Sequence, residues 1–442
     1  MSVLSPSKTR RDPRRIANRG GSRERRAPKR PSRTGRFFER QCRRLVFRWL
    51  EGVRVGRLRL VEGSSERTFG NEDDGRPPAV LRVNDPEFYL SLVRGGDIGA
   101  GEAYFLGYWS SDDLVGLLRF FCRNAEVTGR FQRGLARLVT PAYKLVHRMR
   151  RNTIAGASRN IRAHYDLGND FYAHFLDETL SYSSGIFRSP RSTLHDASVE
   201  KLDRICRKLR LKEEDRVIDV GCGWGGFALH AAKNYGCHVT GITIAREQFD
   251  YCERLVTEAG LDDRVTILLR DYRQATGQYD KLVSIEMIEN VGHEFLDSFF
   301  KSCSDLLKPD GAMLLQAIHI PDQRYDRYRR SVDFIQQYVF PGGFLPSLGA
   351  VCVSVGKSGD MQPIHLEDIT THYAETLMHW RLRFLKNRDT IREMGYSEEF
   401  LRLWEYYLAY CETGFRERLL ADSQMLFAKP ECDRAALLGE AP

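Results

Sequence analysis

The stretch RVIDVGCGWGG, residues 216–226, constrains the fold of this chain more than any other. An apolar run reads as a strand, and it passes straight into Gly221, Gly223 and Gly225 and then into a helical segment. Glycines at such a turn tolerate positive φ and let the backbone pass close to a ligand. The start of the following helix offers free N–H groups. The pattern continues downstream. HVTGITI (238–244) is a second strand and AREQFDYCERLVTEAG (245–260) a helix. RVTILLRDY (264–272), KLVSIEMIE (281–289) and GAMLLQAIHI (311–320) supply three further strands, with helical segments between most of them. Such alternation builds a mostly parallel, Rossmann-like α/β sheet whose ligands sit at one strand-end crevice.

The glycine loop alone does not choose the cofactor, because dinucleotide and S-adenosylmethionine sites share it. A dinucleotide site expects an acid closing the second strand to bind the ribose. Thr243, Ile244 and then Gln248 stand there instead. That weakens a nicotinamide assignment, and it also departs from the commonest methyltransferase pattern.

Ahead of the sheet, a short amphipathic helix is expected over 37–50. VRVGRLRLV (53–61) and AVLRVND (79–85) alternate as half-buried strands do, and DDLVGLLRFFCR (112–123) returns to helical spacing. Residues 37–126 read as a small α/β domain and 127–162 as a helical connector. After Ile320 the chain leaves the sheet for a helical insertion rich in Tyr and Arg. The length of 442 residues suits two or three domains, and 42% hydrophobic with 29% charged residues suits a globular chain. No window approaches the ~18 apolar residues of a membrane span, and no signal peptide is evident. Ten cysteines without CxxC or Cys/His ligand spacing read as reduced thiols in a cytosolic compartment, with no structural metal.

Charge is uneven. Residues 1–36 hold thirteen Lys/Arg against two acids, so this segment carries +11 of a net +9 and the rest is about −2. A basic, Pro/Gly/Ser-rich tail of this kind is expected to be disordered. It is either a solvated extension or a tether to an anionic membrane surface. Nucleic acid is not expected as a partner, because no basic, aromatic-interleaved face follows.

The segment HYDLGNDFY (164–172) is crowded with polar and aromatic residues, as is LSYSSGIF (180–187). With VIDVGCGWGGFA (217–228), GITIAREQ (241–248), DYR (271–273), VSIEMIENVG (283–292), DFIQQYVFPGGFLPS (333–347), HYAETLMHW (372–380) and YCETGF (410–415), the chain resembles the cyclopropane-fatty-acyl-phospholipid synthase family over roughly residues 45–425. The resemblance implies a class I methyltransferase fold with a seven-stranded, mostly parallel sheet over 163–425. It also implies an acyl-binding insertion at 320–395 and a C-terminal tail at 426–442. The implied cofactor is S-adenosylmethionine, whose methyl group passes to the double bond of an unsaturated phospholipid acyl chain. The resulting carbocation then loses a proton from the new methyl group and closes a cyclopropane ring. Such a reaction needs a shielded cavity, electron-rich faces and a positioned base.

In the family that base is a bicarbonate held in a small cage. Carried over, the cage is Glu289, Tyr373, the backbone of Ile318, and Ser184 and Gln316 in place of the more usual Cys and His. Asn290 also replaces a frequent histidine. These replacements bear on the product more than on methyl transfer. For the cofactor, the matching positions are Gly221, Gly223 and Gly225 for backbone approach and Asp219 for loop orientation. Thr243 and Gln248 fall near the ribose and methionine ends, Asp271 and Tyr272 near the adenine, and Tyr182 and Ser183 over the methionine. The aromatics Tyr325, Tyr328, Phe334, Tyr338, Phe340 and Phe344 are candidates for an acyl channel, and Arg327, Arg329 and Arg330 for a phosphate headgroup. Two alternatives stay open: a related methyltransferase giving a methylene- or methyl-branched product, and a lipid-binding homologue without turnover. The resemblance further suggests a homodimer, peripherally attached to the inner face of the membrane.

Overall fold

The structure is a computed structural model that describes residues 33–70, 75–125, 129, 152–153 and 167–438. The basic tail as far as residue 32 and nearly all of the expected connector 127–162 lie outside the described residues. Two sheets organise the chain. The first contains β1 (Leu58–Glu62), β2 (Ser65–Phe69), β3 (Ala79–Val83) and β4 (Trp109–Ser110), in the order β2-β1-β3-β4. β1 and β2 form an antiparallel hairpin, β1 and β3 run parallel, and β4 closes the edge antiparallel to β3. Helices Arg33–Leu50, Glu87–Phe105 and Leu114–Arg123 belong to the same unit. The first helix begins four residues before the expected 37, and β2 was not anticipated.

The second sheet contains β5 (Arg216–Val220), β6 (His238–Thr243), β7 (Val265–Leu269), β8 (Tyr279–Ile285), β9 (Leu307–His319), β10 (Gln362–Asp368) and β11 (Ala421–Ala428). Its order is β10-β11-β9-β8-β5-β6-β7. The pairs β5–β6, β5–β8, β6–β7 and β8–β9 are parallel, whereas β11 is antiparallel to both its neighbours. The order reverses at β5, so the crevice at the carboxyl ends of β5, β6 and β8 is the place where a ligand fits in such a sheet.

Three expectations about this domain need correction. The insertion does not stay outside the sheet, because β10 returns to its edge in mid-insertion. Residues 426–428 are not a tail, since they complete β11, and the helix Arg434–Leu438 follows with Leu437 buried. Lys429 is also buried there, paired with Asp360. The strand expected over 281–289 stops at Ile285, because Glu286 adopts φ +48 and Ile288–Asn290 form a 3₁₀ turn.

The small unit packs on the long helix Glu398–Arg416. Arg402 donates to the carbonyls of Tyr104 (2.7 Å) and Trp109 (2.9 Å), and its guanidinium stacks over Tyr104. Glu417 accepts from Arg119 and Arg123. The approach is close enough to require glycine: a Cβ at Gly101 would lie 2.4 Å from the ring of Phe334.

Candidate active site

The loop after β5 reads as the sequence suggested. Gly221, Gly223 and Gly225 have φ of +89, +54 and +84, a run that L side chains resist. Gly221 is also pinned sterically, since a Cβ there would lie 2.5 Å from Met287. A Cβ at Gly223 meets nothing within 4 Å, because that position opens on the crevice. Trp224 on the same loop donates its indole N–H to Asn169 (2.7 Å), tying the glycine turn to the short helix Asn169–Ala173 of the HYDLGNDFY segment.

The crevice, of about 150 Å3, is lined by nine of the ten residues expected at the cofactor, Tyr182, Ser183, Asp219, Gly221, Gly223, Thr243, Gln248, Asp271 and Tyr272; Gly225 does not line it, although its neighbours Trp224 and Gly226 do. Asp219 is buried, and its Oδ2 has no hydrogen-bond partner among the described residues. Burial raises its pKa to about 7, against the opposing charge of Lys201. An orphaned buried acceptor at the end of β5 suits a cationic ligand group such as the ammonium of S-adenosylmethionine. Thr243 and Gln248 are buried and joined to each other at 2.9 Å. Asp271 lines the crevice, but its carboxylate is taken by Arg273 through Nε (2.8 Å) and Nη2 (2.7 Å), and it also accepts the Arg273 backbone N–H. It therefore orders the turn as well as edging the site. Tyr182 shares a hydrogen bond with Tyr407 (2.8 Å) and packs against Tyr172 and Trp380. Ser183 accepts from the buried Lys201 ammonium at 2.8 Å.

A second cavity of about 930 Å3 lies between the small unit and the insertion. Leu81, Phe88 and Leu118 line it from one side, and Ile318, Phe344 and Phe415 from the other. Of the six aromatics proposed for an acyl channel, Tyr328, Phe340 and Phe344 line it. Phe334 is instead fully buried, against Tyr406, and Tyr325 bonds to His293. Arg329 is paired with Asp326, whereas Arg327 lines the cavity beside Arg324. The two cavities share Tyr182, Glu286 and Asn290 in their walls.

At that junction three of the five expected cage positions, Ser184, Gln316 and Tyr373, converge on a side chain the sequence reading missed, while Glu289 and Ile318 pair with each other. Glu286 Oε1 accepts from the Ser184 backbone N–H (2.8 Å) and from Gln316 Nε2 (2.8 Å), while Oε2 accepts from the Tyr373 hydroxyl (2.7 Å). The Ser184 hydroxyl turns away to the carbonyl of Gly185. The Ile318 backbone N–H donates to Glu289 at 2.6 Å, and Glu289 Oε2 has no partner among the described residues. Burial first, then the charge of Glu286, pushes Glu289 up to about 8. Asp422 on β11 is buried with both carboxyl oxygens lacking a donor among the described residues, and burial beside Glu286 and Glu289 raises it well above the ordinary value. The Ser184 N–H, Gln316 Nε2, Tyr373 hydroxyl and Ile318 N–H are thus all bound to carboxylates of the chain, and the Ser184 hydroxyl to a backbone carbonyl. A further anion would face two acids with no donor left, so these residues do not fit it.

Comparison with known proteins agrees with the geometry. Residues 153–425 match the family model described as mycolic acid cyclopropane synthetase. The chain belongs to this family. It is 36% identical over 370 residues to the tuberculostearic acid methyltransferase UfaA1 of Mycobacterium tuberculosis, covering 82% of this chain and 86% of the relative. Identity is also 36% over 365 residues to the cyclopropane-fatty-acyl-phospholipid synthase of Escherichia coli, covering 80% and 89%. Among solved structures, the mycolic acid cyclopropane synthase CmaA1 complexed with SAH and CTAB matches at TM-score 0.58 and 31% identity, over 62% of this chain and 98% of that one. The cyclopropane synthase MmaA2 from Mycobacterium tuberculosis matches at TM-score 0.58 and 29% identity, with the same coverage. This member of the cyclopropane synthase family is therefore an S-adenosylmethionine-dependent methyltransferase of class I fold.

Within the family frame, one signal for Glu286 was present in the sequence: an acid at the carboxyl end of a parallel strand, where ligands bind. Lys201 and Asp422 carried no such signal. They sit in an ordinary helix and an ordinary strand, and only folding turns them inward.

Proposed function

We propose that the protein methylates the double bond of an unsaturated acyl chain carried by a membrane phospholipid, with loss of a proton and closure of a cyclopropane ring. The observation that supports this reading is the junction at Tyr182, Glu286 and Asn290, where a polar crevice meets a large, mostly apolar cavity. The crevice suits S-adenosylmethionine, and the cavity lies near the top of the range of about 300–1,000 Å3 usual for ligand sites. A sulfonium methyl and an alkene carbon would meet there, away from water. Tyr182 and Tyr373, both on the cavity wall and both packed against the buried Trp380, offer aromatic faces that stabilise a carbocation.

Arg324 and Arg327, on the cavity wall, supply cationic groups for a headgroup phosphate. The membrane side of the reading rests on the basic segment 1–32 and on Phe37 and Phe38, each 58% exposed on the first helix. No helix among the described residues is long and apolar enough to cross a membrane, so attachment would be peripheral, to the anionic inner face. A homodimer belongs to the same proposal.

A branched product is the second reading. It is favoured by the equal identity to a tuberculostearic acid methyltransferase and to a cyclopropane synthase. One experiment separates the readings. The protein is incubated with labelled S-adenosylmethionine and vesicles of monounsaturated phospholipid, and the acyl product is identified by NMR and mass spectrometry. A ring supports the first reading and a methylene or methyl branch the second. Absence of label in lipid overturns both and leaves a lipid-binding homologue.

A further inference from the structure

We infer that Glu286 is the built-in base of this enzyme, taking the proton from the transferred methyl group in place of a bicarbonate ion. The inference rests on the proposed methyl transfer to an acyl double bond and adds the identity of the group that completes it.

Three independent features single out this side chain. It stands on the wall shared by the crevice and the acyl cavity. Its backbone holds φ +48, with its N–H on the Gln316 carbonyl at 2.8 Å. A left-handed non-glycine residue is strained and persists where the surroundings over-determine it, often at functional sites. Glycine would hold this turn without strain, so the strain is accepted for the sake of the side chain.

The third feature is a polarised relay that ends on its carboxylate. The Lys208 ammonium, which can only donate, bonds to Gln424 Oε1 at 2.8 Å. That fixes the Gln424 amide, whose Nε2 donates to Gln316 Oε1 at 3.0 Å. Gln316 must then present its own Nε2 to Glu286. Burial raises the Glu286 pKa above its ordinary value, and against it three donors, the Tyr373 hydroxyl, the Ser184 N–H and Gln316 Nε2, favour the ionised form. Asp422, close by and without donors among the described residues, holds the proton of the pair. The buried Lys201 adds a positive charge nearby.

The step balances without any further reagent. The alkene electron pair forms a C–C bond to the sulfonium methyl, and the C–S bond breaks to release S-adenosylhomocysteine. The cation is left on the neighbouring carbon. A C–H bond of the new methyl group then breaks, and its proton goes to Glu286. The freed pair closes the ring, or, where a hydride has first moved from the methylated carbon, forms an exocyclic double bond. Either product loses the same proton to the same base.

The test uses the full chain, monounsaturated phospholipid vesicles and buffers stripped of carbon dioxide or supplied with bicarbonate. The wild type should turn over equally in both, within twofold. E286Q should lose at least 100-fold in product formation while binding S-adenosylmethionine within threefold of wild type. Wild-type turnover that collapses without bicarbonate, or E286Q keeping more than a tenth of the rate, overturns the inference. A second readout needs no turnover. In 13C NMR, labelled bicarbonate should be bound by E286G, whose glycine fits φ +48, and not by the wild type. Binding by the wild type overturns the inference, as does a folded E286G with no affinity for the ion. A wild type that transfers no label to any lipid would overturn the proposed function instead, a result the binding readout distinguishes.

Discussion

At Glu289, burial outweighs hydrogen bonding. One oxygen accepts the Ile318 N–H, but the other has no donor, so removing the carboxyl from water dominates and holds its proton to about pH 8. An unfolded glutamate keeps its proton only to about 4.5. Between these values the folded chain binds more protons than the unfolded chain, so stability falls as pH rises. The contribution is complete below about pH 4.5 and gone above about pH 8. Urea titrations at pH 5.5 and 8.5 should therefore show the wild type losing roughly 1–3 kcal/mol to this group. In Glu289→Gln that part of the loss should disappear, and an unchanged pH slope would remove Glu289 from the account. Product formation should fall at least tenfold in Glu289→Ala with S-adenosylmethionine affinity retained, as calorimetry would show; joint loss of both would point to a folding role.

The glycine turn between β5 and the helix Gly226–Tyr235 shows how one element separates folding from binding. Gly221 combines φ +89 with a forbidden contact to Met287, so Gly221→Ala should cost roughly 2–4 kcal/mol and lower the melting temperature. Gly223 has φ +54 and open space around its Cβ. Gly223→Ala should cost only about 1–2 kcal/mol yet weaken S-adenosylmethionine at least tenfold in calorimetry, because the new methyl group projects into the crevice. Equal losses of stability in the two variants would contradict this division. The turn was legible because its determinants are local: spacing of glycines after an apolar run. The end of β8 was not, because the left-handed residue that stops it is Glu286, and nothing in IEMIEN announces positive φ.

For the whole molecule, the contact between the small unit and the helix Glu398–Arg416 closes the acyl cavity. Arg402 makes two hydrogen bonds to backbone carbonyls there and stacks on Tyr104, so Arg402→Ala should cost roughly 2–4 kcal/mol. Lipid turnover should drop while S-adenosylmethionine affinity stays constant, since neither Arg402 nor any residue of the small unit lines the crevice. Parallel loss of cofactor binding would show that the two halves are not separable in this way. Deleting residues 1–32 should weaken binding to anionic vesicles mainly at low salt, as measured by co-sedimentation. Binding that is unchanged by the deletion would remove the basic segment from the membrane reading.

The sequence by itself determined the alternation of strands and helices, the glycine turn, the crevice residues and the family, because these depend on short-range periodicity and on motifs in fixed order. It did not determine β10 and β11 as sheet strands, since their partners lie far along the chain. Above all, the tertiary structure decided the occupant of the cage. Ser184, Gln316, Tyr373 and Asp422 come from four distant segments and converge on Glu286. A carboxylate's role follows from the donors and the burial around it, and only the folded chain supplies those.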